Sequence, residues 1–207
     1  MNNKIFNRRI PTIFGIGLLI LGVVLTTIIV RMQTNLKSSA SNSQEPKDVE
    51  ITNLSDKSFT VSYRTDTAVI GSISYGNSKQ LGNTKAGDSQ PHNIHSFTVD
   101  KLDPLTKYYL VLVSGENTFL NNGLPFEAST GPNISSPSAV QAVVKGKIIL
   151  PDGNPPDGAL IYLSIDGSQL LSTTSQKDGQ FSFSLKDLRT SDLSSYFEFR
   201  ENAVLKL

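Results

Sequence analysis

The fold is decided by the stretch Tyr108-Tyr109-Leu110-Val111-Leu112-Val113. In an extended chain, Tyr108, Leu110 and Leu112 point to one side and the three residues between or after them point to the other. Both sides of this stretch are therefore apolar. Because a strand that is apolar on both sides is buried on both, the pattern predicts a central strand of a β-sheet.

Shorter runs around this strand alternate apolar and polar residues, namely residues 59–64, 69–75, 97–99 and 126–128. Asn121-Asn122-Gly123, just before the last run, is typical of a tight hairpin turn. No segment with a helical period intervenes. Residues 47–131 are therefore predicted to form an antiparallel, Ig-like β-sandwich of about seven strands, in which residues 59–64 are a half-buried strand.

A second β-rich unit is predicted over residues 139–207, after a Pro/Ser linker at residues 132–138. Strand patterns at residues 144–148, 158–163 and 180–183 are separated by turn sequences such as Asp166-Gly167 and Asp178-Gly179. Two sandwiches joined by such a linker are expected to fold and melt separately. The sequence stops at Leu207 within a strand pattern, and we expect it to be a fragment of a longer chain.

The head of the chain differs from the rest. Residues 11–30 carry no charge, and as a helix they span roughly 30 Å, the thickness of the hydrocarbon core of a bilayer. Basic side chains in residues 1–10 place the N-terminus in the cytoplasm and the later domains outside the cell. Residues 31–46 are polar and predict a flexible stalk. The sequence thus predicts a single-pass cell-membrane protein that contacts the lipid bilayer through residues 11–30.

A cleaved signal peptide is the alternative to an anchor. Ser38-Ser39-Ala40 offers the small residues that a signal peptidase needs. However, the apolar run exceeds the usual length of about 7–15 residues for the apolar part of a signal peptide, and Ala40 lies far beyond its end. We therefore expect the anchor to remain uncleaved.

Charge and cysteine usage exclude several classes of protein. Of the 19 basic residues, four lie in the first 31 residues without any acidic residue, and the remainder of the chain has 15 basic and 18 acidic residues. A slightly acidic folded part argues against nucleic acid as a partner. The chain has no cysteine, which excludes disulfides and thiolate metal sites and is typical of exported bacterial proteins.

Several runs in the first unit share features with a known family. The most specific is Leu102-Asp103-Pro104-Leu105-Thr106-Lys107-Tyr108, accompanied by Ser58-Phe59-Thr60-Val61-Ser62-Tyr63 and His95-Ser96-Phe97-Thr98-Val99. Together they resemble a fibronectin type III domain of the kind found at the N-terminus of purple acid phosphatases. The resemblance implies that Tyr108 is a tyrosine-corner residue, whose hydroxyl bonds back across the loop containing Pro104. Tyr63 stands where the family commonly has tryptophan, and it is expected to have a structural role.

The second unit resembles another family. Val144-Lys145-Gly146-Lys147-Ile148, Gly158-Ala159-Leu160-Ile161-Tyr162-Leu163 and Asp178-Gly179-Gln180-Phe181-Ser182-Phe183 are similar, in this order, to a carboxypeptidase regulatory-like domain, a transthyretin-like sandwich. Such domains imply structural or spacing roles, and Gly146 and Gly179 are expected to be structural residues. In the phosphatases the metals bind in a separate domain, whose motifs do not occur here, so the catalytic function does not carry over.

The sequence offers few groups for chemistry. The only histidines, His92 and His95, lack further ligands at a recognisable spacing, and we interpret them as loop or strand-edge residues. Asp152-Gly153-Asn154 with Asp157 lacks the calcium-loop repeat and is read as a turn. An isopeptide bond from Lys145 or Lys147 lacks an acidic partner. We therefore predict no catalytic, cofactor or metal site.

Two functions follow from these patterns. The first is a non-catalytic cell-surface scaffold or adhesion protein that binds an extracellular protein or polysaccharide. The alternative is the anchor and accessory region of a larger, phosphatase-like surface hydrolase whose catalytic domain lies beyond Leu207. The sequons at Asn53 and Asn133 are relevant only if the source glycosylates exported chains.

Overall fold

The computed structural model describes residues 43–207 except 86, 88, 137, 139, 157 and 200–202. The predicted cytoplasmic N-terminus, the predicted transmembrane helix and most of the predicted stalk thus lie outside the described residues. Within the described residues all regular structure is β, which confirms the all-β class for this part of the chain. The described residues contain no helix with the length and apolarity needed to span a bilayer.

The strands of the first half are β1 (Lys47–Thr52), β2 (Phe59–Val69), β3 (Gly71–Gly76), β4 (Asn83–Lys85), β5 (His92–Val99), β6 (Lys107–Ser114), β7 (Asn117–Phe119) and β8 (Phe126–Ser129). Those of the second half are β9 (Val143–Lys147), β10 (Leu160–Ile165), β11 (Leu171–Thr174), β12 (Gln180–Ser184) and β13 (Leu205–Lys206).

The first half is a sandwich of two antiparallel sheets. One sheet has the order β1-β2-β5, and the other has β4-β3-β6 with β7 and β8 following each other along the outer edge of β6. β6 is therefore a central strand, as its two apolar sides predict. The core draws side chains from both sheets: Phe59, Val61, Tyr63, Phe97 and Val99 from one, and Ile73, Tyr108, Leu110, Leu112 and Ala128 from the other.

The chain changes sheets at Ile70, which the alternation does not show. The alternation predicts one strand over residues 69–75, but Val69 ends β2 in one sheet and Gly71 begins β3 in the other. Both residues are buried, so the period of two continues across the change of sheet. The third run is also longer than predicted, because β5 begins at His92.

The second half is a smaller sandwich. Its sheets are β11-β10-β13 and β12-β9, all antiparallel. Alternate residues of β10 pack against Phe181 and Phe183 of β12 in a core separate from that of the first half. Turns form at the predicted glycines, where Gly167 and Gly179 have φ of 83° and 82°.

The last residues of the predicted stalk belong to the first sandwich. The carbonyl of Ser43 accepts hydrogen bonds from the N–H groups of Asp66 and Thr67, at 2.9 and 3.0 Å. The hydroxyl of Ser114 donates to the carbonyl of Gln44 at 2.7 Å. A polar segment was expected to remain unattached because it has little apolar surface to bury, but here backbone hydrogen bonds hold it. Ser43 and Gln44, which lie inside the stalk predicted for residues 31–46, are therefore part of the first sandwich.

The two sandwiches contact each other, although a linker was predicted between them. Residues 42–207 form one compact unit, and within the predicted linker the carbonyl of Pro132 accepts a hydrogen bond from Arg189 of the second sandwich. Each half thus has its own core, as predicted. The two halves are nevertheless in contact and belong to one compact unit. We therefore expect their unfolding to be coupled.

Candidate functional site

The outward side of β1 and β2 carries hydroxyl groups that are buried. The alternation in residues 59–64 predicts a half-buried strand, with Thr60 and Ser62 on its polar side. However, Thr52 and Ser62 are 0% exposed and Thr60 is 4% exposed. The physical reason is that β10 and β11 of the second sandwich face this side. The buried hydroxyls therefore mark a junction between the two sandwiches, to which we refer below as the junction.

Hydroxyl groups bond directly across the junction. Thr52 Oγ1 lies 2.5 Å from Ser172 Oγ on β11, and Ser62 Oγ lies 3.0 Å from the hydroxyl of Tyr162 on β10. Burial raises the pKa of the Tyr162 hydroxyl, and the bond to Ser62 acts in the opposite direction. Because buried polar groups are costly unless they are hydrogen-bonded, these pairs specify which faces meet.

Asn53 acts as a strand-like partner for β11. Its Nδ2 donates to the carbonyl of Ser172 at 3.0 Å, and its Oδ1 accepts from the N–H of Ser172 at 3.0 Å. Its own N–H donates to the carbonyl of Leu170 at 3.1 Å. Asn53 has φ of 52°, a left-handed conformation that asparagine tolerates better than most residues. Asn53, which the sequence marks only as a sequon, thus forms hydrogen bonds across the junction.

A buried ion pair lies at the end of the junction. The Arg189 side chain is 3% exposed and that of Asp56 is 20% exposed, and Arg189 Nη2 lies 3.0 Å from Asp56 Oδ1. Its Nη1 donates to the carbonyls of Pro132 and Leu193, at 2.7 and 3.2 Å. Asn133 Nδ2 in turn donates to Asp56 Oδ2 at 3.3 Å. A buried guanidinium is tolerated only when it is paired and hydrogen-bonded in this way.

Close packing leaves little freedom around the ion pair. Gly131 is buried, and a Cβ atom at this position would lie 2.7 Å from Arg189 Nη1 and 2.9 Å from Leu193 Cβ. The ring of Tyr196 lies 6.0 Å from Arg189 Cζ, within range of a cation–π contact. The predicted linker is thus held at its first two residues, Pro132 by Arg189 of the second sandwich and Asn133 by Asp56 of the first. The arrangement fixes one orientation of the two sandwiches.

Tyr108 closes the loop that contains Pro104. Tyr108 is 5% exposed, and its hydroxyl oxygen accepts a hydrogen bond from the N–H of Asp103 at 2.9 Å. The loop between them contains Pro104, whose carbonyl accepts from the hydroxyl of Thr106 at 2.9 Å. The Tyr108 ring is 6.3 Å from that of Phe59. The residue therefore closes a corner and fills core volume at once.

Tyr63 lies in a buried aromatic cluster that includes a histidine. Its ring stacks on that of His95 at 4.5 Å and lies 6.0 Å from that of Phe97. Burial raises the pKa of its hydroxyl. Both histidines lie on β5, an edge strand, but only His92 is exposed, whereas His95 is 1% exposed. The burial of His95 was not predicted, and it follows from its place opposite Tyr63 in the β2–β5 register.

Gly146 and Gly179 are both sites of close approach. Gly146 pairs with Phe181, whose ring lies over it, so that a Cβ atom at Gly146 would overlap the ring. At Gly179, where φ is 82°, a Cβ atom would overlap the carbonyl oxygen of Ile148. Both positions therefore require glycine for steric reasons.

The remaining candidates for chemistry are structural or exposed. The N–H of Asn154 donates to Asp152 Oδ1 at 3.0 Å and lowers the pKa of this carboxyl, as in a turn. Asp157 lies outside the described residues. Lys145 and Lys147 are exposed on the outward side of β9. Among the described residues, no three His, Cys, Asp or Glu side chains are grouped so that they could hold a metal ion.

An open apolar groove lies on the second sandwich, between the edges of β9 and β10. It has a volume of about 550 Å³. Its lining is mostly apolar and includes Ile148, Leu160, Ile161, Tyr162, Phe181 and Leu207. Lys147 contributes the charged group of the lining. The groove has no signal in the sequence, because its walls come from strands that are distant in the chain.

Comparisons with known proteins add little to this geometry. No protein-family model matches the chain, and no curated protein matches it. Among solved structures, a computationally redesigned β-sandwich protein is 17% identical, with 42% of this chain and 94% of that chain covered, at a TM-score of 0.32. The sensor domain of the anti-sigma factor RsgI4 from Pseudobacteroides cellulosolvens is 16% identical, with coverage of 46% and 100%, at a TM-score of 0.33.

Proposed function

We propose that this protein is a non-catalytic, membrane-anchored scaffold or adhesion protein of the cell surface, whose two sandwiches keep a fixed mutual orientation. The observation that carries the proposal is the buried ion pair between Arg189 and Asp56 at the junction. A buried charge is not expected between domains that move independently, because removing it from water costs free energy. A fixed orientation suits a spacer that holds a binding surface away from the membrane.

The anchor and the domain families are part of the same proposal. Residues 11–30 provide the apolar span, with the N-terminus cytoplasmic and the sandwiches extracellular. The fibronectin type III resemblance is supported by the sheet orders and by the hydrogen bond at Tyr108. Partners in this proposal are the lipid bilayer and an extracellular protein or polysaccharide.

The fixed orientation can be tested with spin labels, since the chain has no cysteine of its own. Labels are placed on the full chain through Lys79→Cys in the first sandwich and Lys186→Cys in the second, both exposed positions. Pulsed electron spin resonance should give one narrow distance distribution. Asp56→Ala should broaden it, whereas Asp100→Ala, the same change at an exposed position, should not. A broad distribution in the labelled chain without further substitution would contradict the proposal.

The anchor and the lack of catalysis need separate measurements. The mass of the mature protein should correspond to an uncleaved N-terminus in the membrane fraction. A released species that begins near Ser41 would exclude the anchor. Hydrolysis of a generic phosphate ester above the buffer rate, if abolished by His92→Ala or His95→Ala, would exclude the non-catalytic assignment.

A further inference from the structure

The edge of β11 that faces away from β10 is covered by the first sandwich. Among the described residues, β11 pairs with β10 alone. The N–H of Ser175 donates to the carbonyl of Ala159, next to β10, at 2.8 Å. Because backbone groups alternate along a strand, those of Leu170, Ser172 and Thr174 point away from β10. The groups of Leu170 and Ser172 meet Asn53 of the first sandwich.

Asn53 occupies this edge as one residue of a pairing strand would. In an antiparallel pair, a residue exchanges both N–H···O bonds with the residue opposite. The side-chain amide of Asn53 does the same, since it donates to the Ser172 carbonyl and accepts from the Ser172 N–H, each at 3.0 Å. The backbone N–H of Asn53 donates to the Leu170 carbonyl at 3.1 Å. One residue thus satisfies the edge groups of β11 that lie at the junction.

The sequence of β11 lacks the features that keep an edge strand from pairing with another chain. Such features are charged residues, prolines and bulges. Residues 169–176 contain no charged residue and no proline, and the register with β10 is regular. By contrast, the edge strand β1 has a bulge between Lys47 and Glu50, and β9 carries Lys145 and Lys147. The protection of β11 therefore comes from the first sandwich.

A second copy of β11 is the strand that fits this edge. In an antiparallel pair centred on Thr173, Ser172 of each copy lies opposite Thr174 of the other, so that the outward backbone groups bond to each other. The hydroxyl groups of Ser172 and Thr174 then lie side by side, and such cross-strand pairs are favourable. Because the edge carries no charge, identical copies meet without electrostatic repulsion.

We propose that β11 is an edge for pairing with a second copy of this chain, and that Asn53 keeps this edge closed while the junction is formed. Separation of the two sandwiches uncovers the edge, and two copies then join their β10–β11 sheets into one continuous sheet. In a surface scaffold or adhesion protein, this converts loss of the fixed orientation into self-association. The proposal rests on the same junction as the fixed orientation, but self-association and orientation are measured separately.

The test removes the Asn53 side chain and leaves β11 unchanged. Asn53→Gly deletes the amide and keeps the left-handed backbone, which glycine adopts readily, and Asp56→Ala is added to weaken the junction. The matched control combines Asp56→Ala with Asn122→Gly, the same change at an exposed residue with a similar φ of 51°. Both variants are made in the full chain and studied by sedimentation in detergent.

We expect concentration-dependent dimers of the Asn53→Gly, Asp56→Ala variant, with a dissociation constant about tenfold or more below that of the control. The reason is that two side-chain hydrogen bonds no longer have to be broken to uncover the edge. Hydrogen exchange at the Thr174 amide should slow as the dimer forms. Asn53→Gly alone should pair in the same way at higher protein concentration.

A lysine on the edge provides the specific test. Thr174 is exposed, and adding Thr174→Lys to the dimerising variant should restore the monomer, because edge lysines oppose pairing between identical edges. Thr118→Lys, the same change at an exposed position of β7, should not. Association no stronger than in the control, or association that survives Thr174→Lys, would overturn the proposal.

Spin-label distances separate this proposal from the fixed orientation. A narrow distance distribution in the natural chain, together with variants that stay monomeric, would reject the pairing edge and leave the fixed orientation intact. A broad distribution, together with pairing that Thr174→Lys abolishes, would reject the fixed orientation and leave the pairing edge.

Discussion

The two sandwiches differ in how completely their cores are closed. In the first, the most buried core residues include Phe59, Tyr63 and Leu110, each 0% exposed. In the second, the most buried core residue, Leu163, is 1% exposed and the other core residues are 3–8% exposed. Both sandwiches leave large apolar side chains open to solvent: Val143, Ile149, Leu150, Val204, Leu205 and Leu207 in the second, and Ile70, Leu105, Leu120 and Leu124 in the larger first.

This difference indicates that the second sandwich is completed by its surroundings. One of its faces is covered by the first sandwich through the junction, and one of its edges is the open groove. Smaller cores give less hydrophobic stabilisation, because this scales with the apolar area removed from water. The first sandwich should therefore withstand separation from the second better than the second withstands separation from the first.

The largest expected effect tests the direction of this dependence. Tyr108→Ala should destabilise the first sandwich by roughly 3–5 kcal/mol, the cost of truncating a buried aromatic residue. Tyr108→Phe should cost about 1 kcal/mol, a typical net value for one hydrogen bond. Thermal unfolding followed by amide exchange in each half gives both values. If the second sandwich depends on the first, its amides should lose protection in the alanine variant.

Protection of the second sandwich that is unchanged by Tyr108→Ala would instead favour the independent melting predicted from the linker composition. The phenylalanine variant serves as the matched control, since it keeps the ring and loses only the hydroxyl. It should leave the second sandwich almost as protected as in the natural chain.

The junction should show the next largest effect. Asp56→Ala leaves the Arg189 guanidinium buried without its anion. Breaking a fully buried pair costs about 3–5 kcal/mol, and we expect the low end of this range or less because Asp56 is 20% exposed. The expected result is a lower melting temperature of the second sandwich with a smaller change in the first. Replacing both partners with apolar residues, Asp56→Leu with Arg189→Met, should recover much of the loss. No recovery would mean that the hydrogen bonds to Pro132 and Leu193 matter more than the charge pair.

A pair of glycines tests the packing inside the second sandwich alone. Gly179 and Gly153 have similar φ, 82° and 84°, but a Cβ atom overlaps a backbone carbonyl only at Gly179, with nothing within 4 Å at Gly153. Both alanine variants share a left-handed strain of about 1–2 kcal/mol. Gly179→Ala should cost about 1 kcal/mol more because of the overlap. Equal losses in chemical denaturation would show that the sandwich can shift to accommodate the methyl group.

Local patterns were sufficient for part of this fold. The two apolar sides of β6 predicted a central strand. Asn121-Asn122-Gly123 predicted a hairpin: a tight turn forms there, with Asn122 and Gly123 at positive φ and a bridge between Asn121 and Leu124, but the flanking strands β7 and β8 pair with β6 and not with each other. These features depend on neighbours in the chain. Their physical causes are the alternation of apolar residues and left-handed turn conformations. Both can be predicted from short stretches of sequence.

The junction could not be predicted in the same way. Arg189 and Asp56 are 133 residues apart, and no local sequence pattern around either residue indicates that the two are in contact. Thr60 and Ser62 have the alternation of a solvent-facing side, but a second domain covers that side. A hydroxyl group can form hydrogen bonds with water or with a polar interface. The sequence therefore does not distinguish a solvent-exposed side of a strand from one that is buried in an interface. The sequon at Asn53 was the only signal at this site, and it pointed to glycosylation.

A smaller effect isolates one bond across the junction. Ser62→Ala, Tyr162→Phe and the double variant form a cycle in which the coupling energy reports the hydroxyl pair. We expect about 1 kcal/mol, as for a neutral hydrogen bond. The measurement is chemical denaturation with exchange readouts in each half. A coupling near zero would mean that the two hydroxyls are near each other without stabilising the junction.

The smallest effect is confined to alkaline solution. The pKa of Tyr162 is raised in the folded protein from the ordinary value of 10.0, mainly by burial. The neutral hydroxyl therefore contributes stability that is complete below pH 10 and is lost as the pH rises through the folded pKa, because the unfolded chain releases its proton first. The same sign holds for Tyr63 in the core of the first sandwich. Denaturation at increasing pH should show the second sandwich losing part of this dependence in Tyr162→Phe, while the first sandwich, which retains Tyr63, still loses stability. If Tyr162→Phe leaves the alkaline loss of the second sandwich unchanged, the Tyr162 hydroxyl is not buried at the junction in solution.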